Sequence, residues 1–468
     1  IRKVARVLIR GIGYHHAGML PIVKDVVEDL LASRLIKVLY CTETFAVGIN
    51  MPVKTVCFDS NEKFDGKEFR VMSRQEYFQM AGRAGRRGID TKGFVFSLAD
   101  INFLESDKMV SPEEGKLEDL KSQFNLGYNS VVNLIGNHHT EEEIESVLRN
   151  NFAYYQVSKM SREVNSKLEE VEQQLKLLVH SRCEDHFNLN CAVNHQKLWS
   201  KLKEDKRTLG RMLKTKWGRA KRYQAKREQL AKRIKQNEEV LASVELRSCE
   251  QEQVAECRNQ RKQYNVLEEE KNRLNKLRAG LLKETDFVRD YRAKRKLLAE
   301  LGFVDAEGLS ARGRFASKVY VQELLVTELY FEGVFHEFDL DQINAMVACI
   351  GYEGRKNDWF RKGKVFDLDR IYTIIAHLNR MEHEMLRTNT MLFQPEVALL
   401  AYQWSAGEEF ANLRQYCNLQ DGDIVSVMRR TIDLLRQIRS AAGEDKAIFG
   451  KLSDCIRRLD RDVVEVIL

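Results

Sequence analysis

The 468-residue sequence predicts a multidomain chain: an α/β layer with a parallel sheet, a small helical region, a long antiparallel helical hairpin and a C-terminal all-α bundle. Three observations carry that expectation. Short β-rich runs alternate with helical stretches over residues 1–105, the pattern of parallel strands joined by helices. An apolar heptad seam begins near residue 160 and returns near 267, with a strongly basic segment between. Charged residues make up 31% of the chain and prolines number only 4, which favours long exposed helices over a β-rich fold.

In chain order, LIKVLYCT (35–42), KTVCFDS (54–60) and KGFVFSLAD (92–100) read as strands, and VKDVVEDLLASR (23–34) has helical spacing. NEKFDGKEFR (61–70) sets Asp65-Gly66 between alternating flanks, a hairpin signal. Residues 106–158 read as small helices, EEEIESVLRNNF among them. Over 159–295, Val164, Leu168, Val171, Leu175 and Leu178 step by 4, 3, 4 and 3, and Leu267, Leu274, Leu277 and Leu281 resume a compatible pattern. Gly210 and Gly218 are read as the reversal between them, and the returning heptads favour a hairpin over one solvated helix. An arm of that hairpin would reach roughly 85 Å at about 1.5 Å per residue. Residues 296–468 read as an amphipathic bundle, clearest in KVYVQELLVTELYF, QINAMVACIG and GDIVSVMRRTIDLLRQIR.

A chain this long exceeds one hydrophobic core, and two to four domains are expected. Net charge is +7, but Lys197–Lys235 holds sixteen Lys/Arg against three acids, so the remainder is slightly acidic. Nine cysteines, no signal peptide and no apolar run near twenty residues point to a reducing, intracellular setting without a membrane span. The chain opens at Ile1 inside a structured pattern and reads as a fragment.

The chemistry concentrates in QMAGRAGRRG (79–88), three arginines and three glycines in one helix-and-turn. Arginine presents a permanently charged planar fork matched to phosphoryl oxygens, and neighbouring glycines let backbone approach closely. A solvated basic turn is the plainer reading. The motif stands in company, however. GIGYHHAGMLP (11–21) precedes it, and CTETFAVGINMP (41–52) lies between the two.

This ordered trio resembles the second RecA-like domain of the superkiller-like DExH-box RNA helicases of superfamily 2: YHHAG, then motif V, then motif VI. The segment FDSNEKFDGKEFRVMSRQEYFQ is similar to that family's hairpin region. LKSQFNLGYNSVVNLIG (120–136) resembles its winged-helix entry, and 312–353 resembles the start of its C-terminal helical domain, called DSHCT. The insertion sits where exosome-cofactor members carry a helical arch. The resemblance implies an ATP-dependent RNA helicase moving 3′→5′, with RNA bearing a single-stranded 3′ end as substrate and an RNA-decay complex as possible partner. It implies that Arg83 and Arg86 are fingers on the γ-phosphate and that Gln79 meets that phosphate or the attacking water. Gly48 and Asn50 would approach nucleotide, Thr42 an RNA phosphate, and His16 and Gly18 the RNA track. Arg87 reads as a structural ion pair, and His15 is equally a packed core histidine. No phosphate loop of the form G-x-x-x-x-G-K-S/T and no DExH tetrad after a strand is found, CEDH (183–186) lying inside the stalk. ATP and Mg would therefore be held mainly by a first lobe that the chain does not include, and the chain alone is expected to hydrolyse no ATP.

Within the stalk, Trp199, Trp217 and Tyr223 interleave with cations, a pattern suited to RNA: charge for phosphate and aromatic faces for bases. Lys214, Lys216, Arg219, Lys221 and Arg222 are its tip candidates. Cys183 and Cys191 mirror Cys249 and Cys257 about the reversal, and with His186 and His195 give C-x2-H-x4-C-x3-H. An unbroken helix would separate the first two thiolates by about 12 Å, too far for one zinc at about 2.3 Å. Free thiols are the preferred reading, with zinc the lesser one. GDIVSVMRRTIDLLRQIR resembles the family's RNA-tracking helix, which makes Arg429 and Arg430 RNA candidates, although exposed helix arginines commonly have no such role. A non-catalytic RNA-binding scaffold and a related DNA helicase remain the competing functions.

Overall fold

The structure is a computed structural model describing residues 2–43, 53–64, 68–86, 88–98, 120, 122, 124–137, 140–180, 191–214, 223–244, 250–284, 287–443 and 445–465. The chain divides into two compact units, residues 1–149 with 287–468, and residues 150–286.

The first unit opens with α1 (Arg2–Leu8), β1 (Ile12–His15), α2 (Pro21–Ala32) and β2 (Val38–Cys41). Pro21 occupies the first turn of α2, where its fixed φ suits a helix and its missing N–H has no partner to lose. β1 and β2 pair in parallel, Ile12 with Val38 through His15 with Cys41. β3 (Thr55–Phe58) pairs in parallel with β6 (Phe94–Ser97). Between them lie β4 (Glu62–Phe64), β5 (Phe69–Val71) and α3 (Arg74–Ala81). β4 and β5 are antiparallel, as the sequence leads one to expect, with Phe64 tilted against Phe69 at 5.4 Å; their Asp65-Gly66 turn lies outside the described residues. The expected parallel layer takes the form of two parallel pairs among the described residues. Each pair has its own small core, Met19, Val27 and Ile36 under one and Phe58, Met72 and Tyr77 under the other. Apolar side chains such as Tyr40 and Phe96 stay exposed, whereas parallel sheets are ordinarily covered on both faces.

α4 (Tyr128–Asn137) and α5 (Glu141–Arg149) follow. The second unit then comprises α6 (Phe152–His180), α7 (Ala192–Lys214), α8 (Gln224–Ala242) and α9 (Gln251–Glu284). α6 packs on α9 through Val164, Leu168, Leu274 and Leu281, and α7 on α8 through Leu202, Leu230 and Ile234. Bonds from Glu172 to Lys271, Gln196 to Arg258 and Asp205 to Arg233 run down one arm as they run up the other, so the arms are antiparallel. Leu277 departs from the expected seam and is 45% exposed, because the packed face of α9 runs from Leu274 to Leu281.

The chain returns to the first unit with α10 (Phe287–Glu300), the two-residue strands β7 (Val304–Asp305) and β8 (Gly308–Leu309), and α11 (Ala311–Ala316). Tyr291, Leu297 and Leu298 of α10 are fully buried in the same core as Val131, Val132, Ile144 and Leu148 of α4 and α5. The hairpin insertion thus ends before α10, earlier than the boundary at 295 read from heptads. The bundle continues with α12 (Glu323–Phe331), α13 (Val334–Glu337), α14 (Leu340–Gly351), α15 (Asp369–Leu386), α16 (Ala398–Ser405), α17 (Asp421–Ala441) and α18 (Lys446–Leu459). α14 is buried continuously from Ile343 to Ile350, and its near-absence of charge is what makes a central position possible. Glu382 of α15 is buried but satisfied, accepting from Tyr128 Oη (2.7 Å), Thr390 N (2.6 Å) and Thr390 Oγ1 (2.7 Å). Burial and this carboxylate push the Tyr128 phenol well above its ordinary range.

Candidate functional site

Thr42 N donates to His15 O at 3.1 Å, so the histidine-rich segment and the start of CTETFAVGINMP meet at the C-terminal ends of β1 and β2. Open parallel sheets place ligand crevices at that end. His15 is buried with Nε2 2.9 Å from Glu28 Oε1, the packed alternative of the two the sequence left open. His16 is half-buried and stacks on Tyr14, ring centroids 6.1 Å apart. Gly18 O accepts from Gly422 N at 3.0 Å in the first turn of α17. A Cβ on Gly422 would lie 2.2 Å from Met19 O, and one on Gly18 would strike the Gln420 side chain. Backbone meets backbone here, and the contact requires the absence of a side chain.

The arginine-rich loop follows α3. Ser73 and Glu76 form a capping box at the helix start, a signal present in the sequence as S-x-x-E. Glu76 also takes the Arg70 fork at 2.7 and 2.9 Å and Lys63 Nζ at 2.7 Å. It thereby ties the β4–β5 hairpin to the helix bearing Gln79, which is exposed. Beyond α3, Val53 N donates to Arg83 O (2.9 Å) and Gly85 N to Val53 O (2.7 Å), fixing the loop against the chain entering β3. Gly85 adopts φ +92°, and a Cβ on the facing Gly93 would lie 2.5 Å from Ala84 O. The glycines therefore hold the loop in one narrow conformation.

Arg86 does not stand free. Its Nε and Nη2 reach Asp90 Oδ2 and Oδ1 at 2.7 and 2.9 Å, and its N–H donates to Oδ2 at 3.0 Å. The Arg86 fork holds the Asp90 carboxyl well below the usual carboxylate range. Asp90 was not singled out in the sequence, although its place four residues after Arg86 is a recognisable ion-pair spacing. Gly48, Asn50 and Arg87 lie outside the described residues.

The Glu76 hub yields a prediction with a definite sign. The Arg70 fork first, then Lys63 and the Ser73 N–H, hold its carboxyl far below the ordinary glutamate value. The tie is therefore complete at neutral pH, persists as pH falls through the range where a free glutamate protonates, and is lost only below it. Glu76→Gln is expected to raise amide hydrogen exchange across 62–71 at neutral pH, and wild-type exchange rates there should not change between pH 7 and about pH 5 once corrected for intrinsic chemistry. Unaltered exchange in the variant removes the hub.

Comparison with known proteins places these features in context. The DSHCT (NUC185) domain model matches residues 306–466. Over 99% of its length the chain is 24% identical to DExH-box ATP-dependent RNA helicase DExH9 of Arabidopsis thaliana, covering 61% of that protein. It is 26% identical to Exosome RNA helicase MTR4 of Homo sapiens, over 99% of the chain and 57% of the relative. Over 37% of the chain, and 14% of the relative, it is 41% identical to Superkiller complex protein 2 of Homo sapiens. The chain is thus similar to DExH-box RNA helicases of the superkiller type, with a DSHCT domain in its C-terminal third. It spans about 60% of the length of the first two relatives it matches, 61% and 60%.

The remaining candidates are scattered. In α17, Arg429 closes its fork on backbone, Nε to Val464 O at 3.0 Å and Nη2 to Glu465 O at 2.9 Å, while Arg430 is exposed. Lys214 is exposed at the end of α7; Lys216, Arg219, Lys221 and Arg222 fall outside the described residues. Cys191 is buried and Cys257 partly so, whereas Cys183, His186 and Cys249, which the zinc reading needs, are likewise outside. Among the described residues no group of three or more His, Cys, Asp or Glu is arranged to hold a metal, and no helix is long and apolar enough to cross a membrane.

Proposed function

We propose that this chain supplies the second RecA-like lobe, a winged-helix element, an RNA-gathering arch and the helical bundle of an intracellular ATP-dependent RNA helicase moving 3′→5′ in RNA processing or decay. The carrying observation is the glycine-locked arginine loop, backed against Val53, with the Arg86 fork held on the Asp90 carboxylate. In this reading Arg86 exchanges Asp90, one anion, for the γ-phosphate of ATP, whose Mg and phosphate cradle belong to a partner lobe. Gln79 orients the attacking water, and Gly48 and Asn50 border the nucleotide. Thr42, His16 and Gly18 line the RNA track at the strand ends, and Arg430 extends it along α17. Arg429 serves this track indirectly, because its fork fixes the chain's end against α17. The packing of α4, α5, α10 and the β7–β8 hairpin supports a winged-helix element interrupted by the arch. The relatives' names support an RNA substrate and an exosome or superkiller assembly as partner.

RNA capture by the chain itself is the test. Fluorescein-labelled oligouridylate should bind the 468-residue chain with an affinity that falls steeply with salt. Neutralising Lys214, Lys216, Arg219, Lys221 and Arg222 should lower the slope of log affinity against log salt by roughly 0.7 per lost phosphate contact. A chain that ignores RNA at low salt refutes the reading. Binding with an unchanged slope instead removes RNA from the arch tip alone.

A further inference from the structure

The segment GYEGRKNDWFRKGKVF, residues 351–366, joins α14 to α15 and was not among the sequence candidates. It holds five cations (Arg355, Lys356, Arg361, Lys362, Lys364) against two acids, Glu353 and Asp358. Trp359 in its middle is 55% exposed, an unusual cost for so large an apolar ring. The exposure is not that of a loose loop, for the backbone around it is held. Asn418 Oδ1 accepts from Trp359 N at 2.8 Å, Asn418 N donates to Trp359 O at 3.1 Å, and Asn418 Nδ2 donates to Asn357 O at 2.8 Å. Arg361 N donates to Tyr416 O at 2.8 Å, and the next ring, Phe360, turns inward edge-on to Tyr352 at 5.4 Å. Asp358 is also turned inward, accepting from Tyr352 Oη and from Arg355 N, so its charge does not cancel the outer cations. Lys356, Lys362 and Lys364 are exposed, and no carboxylate among the described residues pairs with them.

The position adds to the composition. Arg355 pairs with Asp423 at 3.2 Å, beside Gly422, whose N–H meets Gly18 of the proposed RNA track. A rigidly mounted bare indole among unpaired lysines, continuous with that track, matches the chemistry of a single-stranded nucleic acid: a π face for a base and cations for its phosphates. An acidic protein segment would use the lysines but gives no reason for a fixed, solvent-facing indole.

We propose that Trp359, with Lys356, Lys362 and Lys364, forms a base-stacking and phosphate-binding platform for single-stranded RNA on the bundle surface. The proposal rests on the RNA-binding reading above. The test titrates the 468-residue chain with fluorescein-labelled oligouridylate by anisotropy across a salt series. Trp359→Ala is expected to weaken binding about tenfold, in the range of losing one stacked base. Trp359→Phe should recover most of the affinity, because a π face remains. Replacing the three lysines by glutamine should lower the salt slope by about two, at roughly 0.7 per contact. All these side chains are exposed, so thermal unfolding should stay at the wild-type value. If wild-type chain binds RNA and the variants match it in affinity and slope, the platform is refuted while the broader reading stands. If wild-type chain does not bind, both fall. Loss of binding to a polyglutamate probe with RNA binding intact overturns the proposal in favour of an acidic protein partner.

Discussion

Arg86→Ala, in the helicase proposed above and assembled with a phosphate-loop lobe, is expected to lower RNA-stimulated ATP hydrolysis by about 10³–10⁵-fold while leaving RNA affinity nearly unchanged. That is the range for removing an arginine that meets developing charge on a transferring phosphoryl group. The ion pair with Asp90 supplies the control. If Arg86 matters only because it holds Asp90, then Asp90→Asn should cost as much as Arg86→Ala. If Arg86 is a finger, Asp90→Asn frees the fork and hydrolysis falls far less. Arg86→Lys keeps the charge but not the planar fork, and should recover little. Equal loss of RNA binding and hydrolysis in Arg86→Ala would indicate collapse of the loop that Val53 and Gly85 hold together.

The second large effect is on stability. Trp404 of α16 is fully buried, donates Nε1–H to Leu459 O at 3.0 Å and stands edge-on to Phe410 at 5.9 Å. The Arg461 guanidinium lies 3.5 Å from its ring centroid and bonds backward to Trp404 O and Glu408 O, each at 2.8 Å. Burial pushes the Arg461 pKa down, the mark of a cation that has lost water and relies on the ring and two carbonyls. Trp404→Ala opens a cavity and strands that cation together, so a loss of about 3–5 kcal/mol is expected in urea unfolding followed by circular dichroism. Trp404→Phe should cost less, since it keeps an aromatic face over Arg461 while losing the Leu459 bond. A loss below about 1 kcal/mol for the alanine variant would mean that α14, α16 and α18 close over the gap.

Much of the organisation was legible because it is written in short-range signals. Heptad spacing identified the partners Val164, Leu168, Leu274 and Leu281 before any coordinates, and alternation around Asp65-Gly66 marked the β4–β5 pairing. The all-α character of the C-terminal third follows from amphipathic periodicity, and the resemblance to DExH-box helicases from three ordered motifs. Periodicity names a face but not what covers it. Leu277 had the right spacing and faces solvent, and α10 looked like the end of a stalk until the burial of Tyr291, Leu297 and Leu298 assigned it to the other unit.

The site divides along the same line. The residue types of QMAGRAGRRG suit an anion such as phosphate, because a guanidinium fork and close backbone approach are local properties of arginine and glycine. Only the tertiary structure decided which partners those groups hold: Asp90 on Arg86, Glu28 on His15, backbone carbonyls on Arg429, and Gly422 against Gly18. Each is a contact between atoms, and all but the first join residues well separated in the chain. Such contacts depend on where separate elements come to rest, and that is set by burial of their apolar faces rather than by the residues that touch. Trp359 makes the point most clearly. The sequence offers a tryptophan among lysines, a composition equally suited to a core residue, and the backbone of Asn357 and Trp359 is held by three hydrogen bonds with the distant Asn418 while the ring stays in solvent.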